Sequence, residues 1–303
     1  MIAFNARIVH LATLFLEVVV IGGLAVPEFL DRHYLQVAFL LLIPLVWRMA
    51  CVAVTSLVSR VLFATAEATP VLSWRWMKLV AAGSVAIARN QIEMAFAREL
   101  SVMPKGGASP VVALIPGYSC NAGCFQTLPQ RLAARGLVCV AFDGADPIGD
   151  LKANAADTAS WLRAMARLAP DRPIILVGIS MGGIIARLAT LHPACPRIAH
   201  LVTISSPHAG TWSAYFGIGA AAYQLRIGSA VLRTLASQQL ACPVTAIWTP
   251  DDSLILPPTS GRLSGAENIA VAGYTHLAVV EAPAVEGAIM RVTVPSLREA
   301  TAT

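Results

Sequence analysis

Charged residues are scarce in this sequence, because only 13% of its 303 residues are Asp, Glu, Lys or Arg, about half of the usual fraction. Hydrophobic residues make up 56%, and the mean hydropathy is +0.67. This balance is unusual for a soluble protein and predicts that part of the chain lies in lipid. The net charge is +5, but the basic residues are scattered and form no stripe interleaved with aromatic residues. That pattern argues against a nucleic-acid partner and suits an anionic membrane surface better.

The sequence also lacks internal repeats, low-complexity segments and paired Cys/His motifs with metal-binding spacing. We therefore expect neither a repeat fold nor a bound metal ion. Of the six cysteines, only Cys120 and Cys124 lie close together, with the spacing C-x3-C. A disulfide between them is an alternative in an oxidising compartment, but reduced thiols are the default expectation.

Two long apolar runs lie near the N-terminus. Residues 8–26 are almost enough to cross a hydrocarbon layer of about 30 Å. A short polar turn follows the first run. The second run then covers residues 34–47 and, after Arg48, continues at 49–58. The pattern predicts a transmembrane hairpin, with a soluble helical hairpin or a cleavable signal peptide as alternatives. Against the signal peptide, only Arg7 is basic before the first run, and no convincing cleavage site follows.

Polar residues inside these runs restrict how the hairpin can sit in lipid. His10, Glu17 and Arg48 are costly there and need partners or interfacial positions. Basic residues lie before and after the hairpin, whereas its turn is acidic. The positive-inside rule therefore places both ends, and the rest of the chain, on the cytoplasmic face of a bacterial-type inner (plasma) membrane.

A helical pattern follows the hairpin at residues 73–100, where apolar residues alternate with basic ones. Such a helix could lie at the membrane interface as a link, or pack on the next domain as an ordinary surface helix. Pro104 to Gly107 (Pro-Lys-Gly-Gly) then marks a boundary. We expect a membrane hairpin with its linking helix at residues 1–103 and a second domain at 104–303.

Strand and helix patterns alternate from residue 110 onward. Short apolar runs predict strands at 111–115, 138–142, 174–177, 201–204, 244–248 and 268–271. Helical patterns occur around 123–135, 153–168, 183–191 and 218–235. Apolar strands that are separated by helices predict an α/β fold, a mostly parallel sheet with helices on both faces. Ligands of such sheets bind at the carboxyl ends of the strands.

The stretch Gly178-Ile-Ser180-Met-Gly182 has the form G-x-S-x-G and lies between a predicted strand and a predicted helix. This is the context of a nucleophile elbow, a tight turn that presents a serine at the edge of the sheet. Gly178 and Gly182 would remove collisions beside the serine, and the helix start would offer N–H groups to an oxyanion. A chance match to so short a motif is the alternative.

Three motifs extend this pattern. Gly178 to Gly183, followed by Arg187, is similar to the G-H-S-M-G-G-x-x-x-R of many lipases. Residues 206–211, Ser-Pro-His-Ala-Gly-Thr, resemble the T-P-H-x-G-T of true lipases, and Asp252-x-x-Ile-x-Pro257 resembles D-x-x-V-x-P. Residues 110 to about 290 thus resemble the α/β-hydrolases, in particular their bacterial lipase and esterase branch. The usual histidines are replaced by Pro116 and Ile179, which leaves substrate preference open.

The order Ser, Asp, His matches the α/β-hydrolases and suggests a role for each group. Ser180 is the expected nucleophile, His276 its general base, and Asp252 the acid that orients the imidazole. Asp251 is the rival acid. The backbone N–H groups of Tyr118 and Met181 are expected to form the oxyanion hole. His208, in a Pro-His-Ala-Gly turn, is expected to be structural.

The sequence therefore predicts a membrane-anchored serine ester hydrolase, a lipase or carboxylesterase that acts on lipid-like or other apolar esters without a cofactor. Acyl transfer would use the same groups, and a catalytically idle membrane scaffold is a further alternative. Residues 211–240 form an apolar insertion that would serve as a lid or acyl pocket, or would simply pack on the sheet. The expected partners are an ester or lipid substrate and the bilayer, and protein partners are left open.

Overall fold

A computed structural model describes residues 6–30, 34–63, 65–97, 101–102, 110–125 and 127–300. Its strands are β1 (Ser101–Val102), β2 (Val111–Ile115), β3 (Val138–Ala141), β4 (Ile174–Ile179), β5 (His200–Ile204), β6 (Val244–Trp248) and β7 (Glu267–Ala270). The α-helices are α1 (Ala6–Leu30), α2 (Tyr34–Phe63), α3 (Trp74–Ala95), α4 (Leu128–Ala134), α5 (Leu151–Leu168), α6 (Met181–Thr190), α7 (Gly219–Gln224), α8 (Ala230–Ser237) and α9 (Pro283–Ala300).

The seven strands form one sheet in the order β1-β3-β2-β4-β5-β6-β7. All strands except β1 are parallel to one another. At one edge of the sheet, β1 forms a two-residue antiparallel pairing with β3. Buried side chains cover both faces: α5, α6, α7 and α8 pack on one, and α4 and α9 on the other. The predicted α/β fold with a mostly parallel, doubly covered sheet is confirmed.

The predicted helix at 218–235 is wrong as a single element. Two short helices, α7 and α8, replace it, because Gly228 adopts a positive φ of 74° between them. Ser229 then caps the new helix, and its Oγ accepts a hydrogen bond from the N–H of Leu232. The predicted helix at 123–135 is likewise divided into a 3-10 turn, Ala122–Phe125, and α4.

The N-terminal helices α1, α2 and α3 pack against one another and against the sheet domain. On α3, a Cβ at Gly83 would collide with the side chains of Thr275 and Val52, so α3 passes closely between α2 and the loop after β7. Ser73 caps the start of α3 by accepting from the N–H of Trp76. The structure shows contacts between α3 and the next domain, and a position of this helix at the membrane interface stays a prediction.

Two stretches, Ala6–Ala25 and Leu42–Phe63, are long and apolar enough to cross a membrane, and few of their residues are buried. A signal sequence near the N-terminus passes the same test, so length and composition support insertion only weakly. The ionic groups between the helices are paired, since Nη2 of Arg48 lies 2.8 Å from Oε1 of Glu17 and 2.6 Å from Oε1 of Gln91. Glu17 and Arg48 therefore have the partners that lipid would demand.

Candidate active site

Ser180 occupies the tight turn between β4 and α6. Its φ of 53° and ψ of −124° lie in a region that non-glycine residues rarely adopt, so the turn is strained. The neighbouring chain segments approach too closely for side chains at Gly178 and Gly182. A Cβ at Gly182 would collide with the carbonyl oxygen of Ile115 in β2, and one at Gly178 would collide with the backbone of Gly182. The structure thus has the geometry of a nucleophile elbow.

His276 and Asp252 are hydrogen-bonded at the carboxyl end of the sheet. Nδ1 of His276 lies 2.9 Å from Oδ2 of Asp252, and both side chains are buried. The other carboxylate oxygen, Oδ1, accepts the N–H groups of Leu254 at 2.8 Å and Ile255 at 2.7 Å. An ionised carboxylate only accepts hydrogen bonds, so Nδ1 is the donor in this pair, and in the neutral imidazole the lone pair is then on Nε2. His276 is thereby held in the tautomer that a general base requires.

Asp251, the rival acid, has different partners. Its carboxylate forms an ion pair with Arg60 of α2 and accepts the N–H of Thr69 at 2.9 Å. It also accepts the N–H of Gly273 in the loop after β7. The structure therefore brings Asp252, and not Asp251, to His276.

Ser180 and His276 line the same cavity, which has a volume of about 610 Å³. The described residues include no hydrogen bond between these two side chains, a contact that often tightens only when substrate is bound. The lining is mostly apolar and comes from the loop after β2, the 211–225 segment, the loop after β6, and α2. These elements contribute, among others, Val54, Thr55, Val58, Tyr118, Cys120, Cys124, Ser213, Phe216 and Leu254 to the lining.

The two predicted oxyanion-hole residues lie beside Ser180. Met181 is the first residue of α6, where the N–H has no partner inside the helix. Tyr118 follows Gly117, at which a Cβ would lie only 3.2 Å from the Cβ of Ser180. The Tyr118 hydroxyl fixes this loop to the insertion, since it donates to the carbonyl of Ile218 at 2.7 Å and accepts its N–H at 2.9 Å. The first residue of α6 and the residue after Gly117 thus both lie next to Ser180, where an oxyanion hole would need its backbone donors.

The insertion at 211–240 lines the cavity with one part and packs on the sheet with another. Leu232 and Leu235 of α8 are buried in the core, whereas Phe216 is 90% exposed at the cavity. Trp212 and Tyr215 stack with ring centroids 5.1 Å apart on the outer surface. Part of the segment thus packs on the sheet and part lines the cavity, and its role as a lid or acyl pocket stays a prediction.

His208 lies in the core rather than in the cavity. Nη1 of Arg187, which can only donate, lies 3.3 Å from Nδ1 of His208, so Nε2 carries the proton and donates to Thr203 Oγ1 at 3.0 Å. Burial, and then the Arg187 charge, lower the pKa of His208 to about 3. The residue is a neutral structural link between α6 and β5, as the sequence predicts.

The six cysteines are free thiols, including Cys120 and Cys124 in the cavity wall. Burial, followed by the hydrogen bond that its thiol donates to the neighbouring Cys120 side chain, raises the pKa of Cys124 well above its usual value. Among the described residues, no group of three or more His, Cys, Asp or Glu side chains could hold a metal ion.

Sequence reasoning missed the α2 residues near the site, Val54, Val58 and Arg60, because nothing local in an apolar run marks a helix as part of a cavity.

Comparison with known proteins places these features in a wider context. A model of the alpha/beta hydrolase family matches residues 112–295. A comparison with curated proteins gave no match. Among solved structures, the chain is similar to the mature form of Bacillus licheniformis lipase BlEst2, with 18% identity, a TM-score of 0.57, and coverage of 65% of this chain and 98% of that chain. Aspergillus fumigatus lipase B is similar with 19% identity, a TM-score of 0.52, and coverage of 59% and 52%. At such identities, the likeness extends to the fold.

Proposed function

Since the chain belongs to the alpha/beta hydrolase family, we propose that it is a membrane-anchored serine ester hydrolase that cleaves apolar carboxylic esters. One observation carries the proposal: Ser180, on a strained elbow, lines the same apolar cavity as His276, whose ring is held by Asp252. A nucleophile, a base and an orienting acid in one cavity are what acyl transfer through a serine requires.

In the acylation step, Oγ of Ser180 attacks the ester carbonyl while Nε2 of His276 takes the hydroxyl proton. The negative charge that develops on the carbonyl oxygen is stabilised by the N–H groups of Met181 and Tyr118, each worth about 3 kcal/mol in comparable sites. Collapse of the tetrahedral intermediate breaks the ester C–O bond, and His276 returns the proton to the leaving alcohol.

In the second step, water attacks the acyl-enzyme and His276 takes one of its protons. Collapse of the second tetrahedral intermediate breaks the bond between the acyl carbon and Oγ of Ser180, and His276 returns its proton to that oxygen, which releases the carboxylic acid and restores the Ser180 hydroxyl. Asp252 remains ionised and stabilises the imidazolium that forms in both steps. The cycle needs no cofactor, because protein groups supply both the nucleophile and the proton transfers.

The membrane part of the proposal concerns residues 1–103, with residues 104–303 as the catalytic domain. The exposed apolar surfaces of α1 and α2 support insertion of both helices. Contacts with the rest of the protein favour retention of α1 over its removal as a signal peptide. Nε of Arg7 donates to the Ala95 carbonyl at 3.3 Å, and Nε2 of His10 lies 3.2 Å from the carbonyl oxygen of Ser119.

We infer a cytoplasmic catalytic domain from the basic residues that flank the hairpin. The mass of the purified chain tests retention, since a signal peptide would be missing from it. Protease sensitivity in right-side-out and inverted vesicles tests the side, and cleavage in right-side-out vesicles alone would contradict a cytoplasmic domain.

The test of the hydrolase proposal is turnover of p-nitrophenyl esters in detergent, together with labelling by a fluorophosphonate probe. The substitution Ser180→Ala should abolish both, and free acid should appear as the product of the wild-type chain. Ser213→Ala is the matched control, because Ser213 is another serine that lines the same cavity. The control should keep the label. A wild-type chain that neither labels nor turns over any ester would sink the proposal.

A further inference from the structure

The helix α2 forms part of the wall of the catalytic cavity, although it lies outside the residues that match the family. Val54, Thr55 and Val58 line the cavity that contains Ser180 and His276. Val54 and Val58 are four residues apart and therefore lie on the same face of the helix. The Thr55 hydroxyl donates to the Cys51 carbonyl of its own helix at 2.8 Å, so it needs no polar partner in the cavity. This wall is thus apolar in character.

The position of the wall is fixed relative to the catalytic loops. Directly after Val58, the Ser59 hydroxyl donates to the backbone carbonyl of Asp252 at 2.9 Å. Nη1 of Arg60 donates to the carbonyl of Pro250 at 3.0 Å, and its Nη2 contacts Asp251. These contacts are buried, so α2 is attached to the loop that carries Asp252 and is part of the site's architecture.

The cavity meets the protein surface between α2 and the insertion. Val54 is 59% exposed although it lines the cavity, and Phe216 of the insertion, which also lines it, is exposed as well. Along α2, the exposed apolar surface continues through Leu57 and Val61. An apolar path therefore leads from the outer surface of a helix that is apolar enough to cross a membrane to the Ser180 hydroxyl.

We propose that this face of α2 is the subsite for the acyl chain of the substrate. An apolar chain enters from the hydrocarbon layer alongside α2 and lies against Val54 and Val58 when the ester carbonyl reaches Ser180. The inference rests on the proposed hydrolase function and adds to it the residues that limit acyl length. Because these residues come from the N-terminal helices, the membrane segment would determine specificity in addition to anchoring the enzyme.

The experiment compares kcat/KM for p-nitrophenyl esters with two-carbon and twelve-carbon acyl chains, in detergent, for Val54→Trp and Val58→Trp. The larger side chains should fill the subsite and lower the long-chain value by at least about tenfold, with little change for the short ester. Val18→Trp is the matched control, since Val18 is an exposed valine of α1 that lies outside both the cavity lining and the exposed face of α2. It should leave the ratio of long-chain to short-chain kcat/KM unchanged.

A substitution that enlarges the subsite, instead of filling it, tests the proposal even if a tryptophan variant does not fold. Val58→Ala widens the subsite and should raise the ratio of long-chain to short-chain kcat/KM. If the short ester is hydrolysed and Ser180 is labelled, but the ratio stays at the wild-type value in both the Trp and Ala variants, the subsite is wrong and the hydrolase proposal stands. If the wild-type chain neither labels nor turns over any ester, the proposed function fails and the subsite fails with it.

Discussion

Arg60 of α2 forms a buried ion pair with Asp251, the residue adjacent to the acid that holds His276. The Asp251 carboxylate also accepts the N–H of Gly273 in the loop that leads to His276. A single carboxylate thus joins the loop after β6, the loop after β7 and the N-terminal helices. The two neighbouring acids have separate roles: Asp252 orients the imidazole, and Asp251 fixes the two loops and α2 in place.

Removal of one partner of this pair should destabilise the protein strongly. Arg60→Met leaves the Asp251 charge buried without its cation, and loss of one partner of a buried pair typically costs about 3–5 kcal/mol. Arg75→Met, at an exposed position on α3, is the control and should change little. Thermal unfolding in detergent measures both. Equal unfolding temperatures for the two variants would contradict a structural role for the ion pair.

Substitution of the two acids should separate their roles. Asp252→Asn is isosteric but favours the wrong tautomer of His276, so kcat/KM should fall about 10⁴-fold while the fold is retained. Asp251→Asn should mainly lower the unfolding temperature, and the folded fraction should keep much of the wild-type rate. Ester turnover and thermal unfolding, measured on the same preparations, distinguish the two. A greater loss of kcat/KM in folded Asp251→Asn than in Asp252→Asn would reverse the assignment.

The buried His208 predicts a specific loss of stability in acid. Its pKa is lowered to about 3 in the folded protein and lies near 6.5 in an unfolded chain, so the unfolded state binds more protons between these values. As far as this histidine is concerned, the free energy of unfolding is highest above about pH 6.5 and decreases as the pH falls toward about 3. His208→Gln removes this titration, and its unfolding temperature should depend less on pH in that window. Identical pH profiles for the two proteins would contradict a neutral, buried imidazole.

The strands and the elbow could be predicted from the sequence because they depend on local patterns. The run before Ser180 is apolar and rich in β-branched residues, and it forms β4. Gly178 and Gly182 lie where neighbouring backbone segments approach too closely for a side chain. Two elements escaped this reasoning. The strand β1 has only two residues, and α9 contains Gly287 and β-branched residues that weaken the helical pattern.

The role of α2 could not be predicted because it depends on contacts between distant parts of the chain. Arg60 and Asp251 are 191 positions apart, and no local pattern relates them. In the sequence, Arg60 is simply a basic residue that ends an apolar run, and its charge bears only on membrane orientation. Only the packing of α2 against the loop after β6 shows that it belongs to the site.

The close packing at the elbow gives a final prediction, which compares two glycines in helices. Gly182→Ala places a Cβ against the carbonyl oxygens of Ile115 and Pro116, which are backbone atoms that cannot move aside cheaply. We expect loss of ester turnover and of probe labelling, with destabilisation of about 1–3 kcal/mol or more from overpacking.

Gly287→Ala in α9 is the matched control, since a Cβ there would meet nothing within 4 Å. It should be neutral or stabilising by up to about 1 kcal/mol, because alanine favours the helix. Thermal unfolding and fluorophosphonate labelling report both effects. A Gly182→Ala chain that labels at the wild-type rate would show that the elbow tolerates a side chain there. The tight approach of β2 to α6 would then not be what fixes Ser180 in its strained conformation.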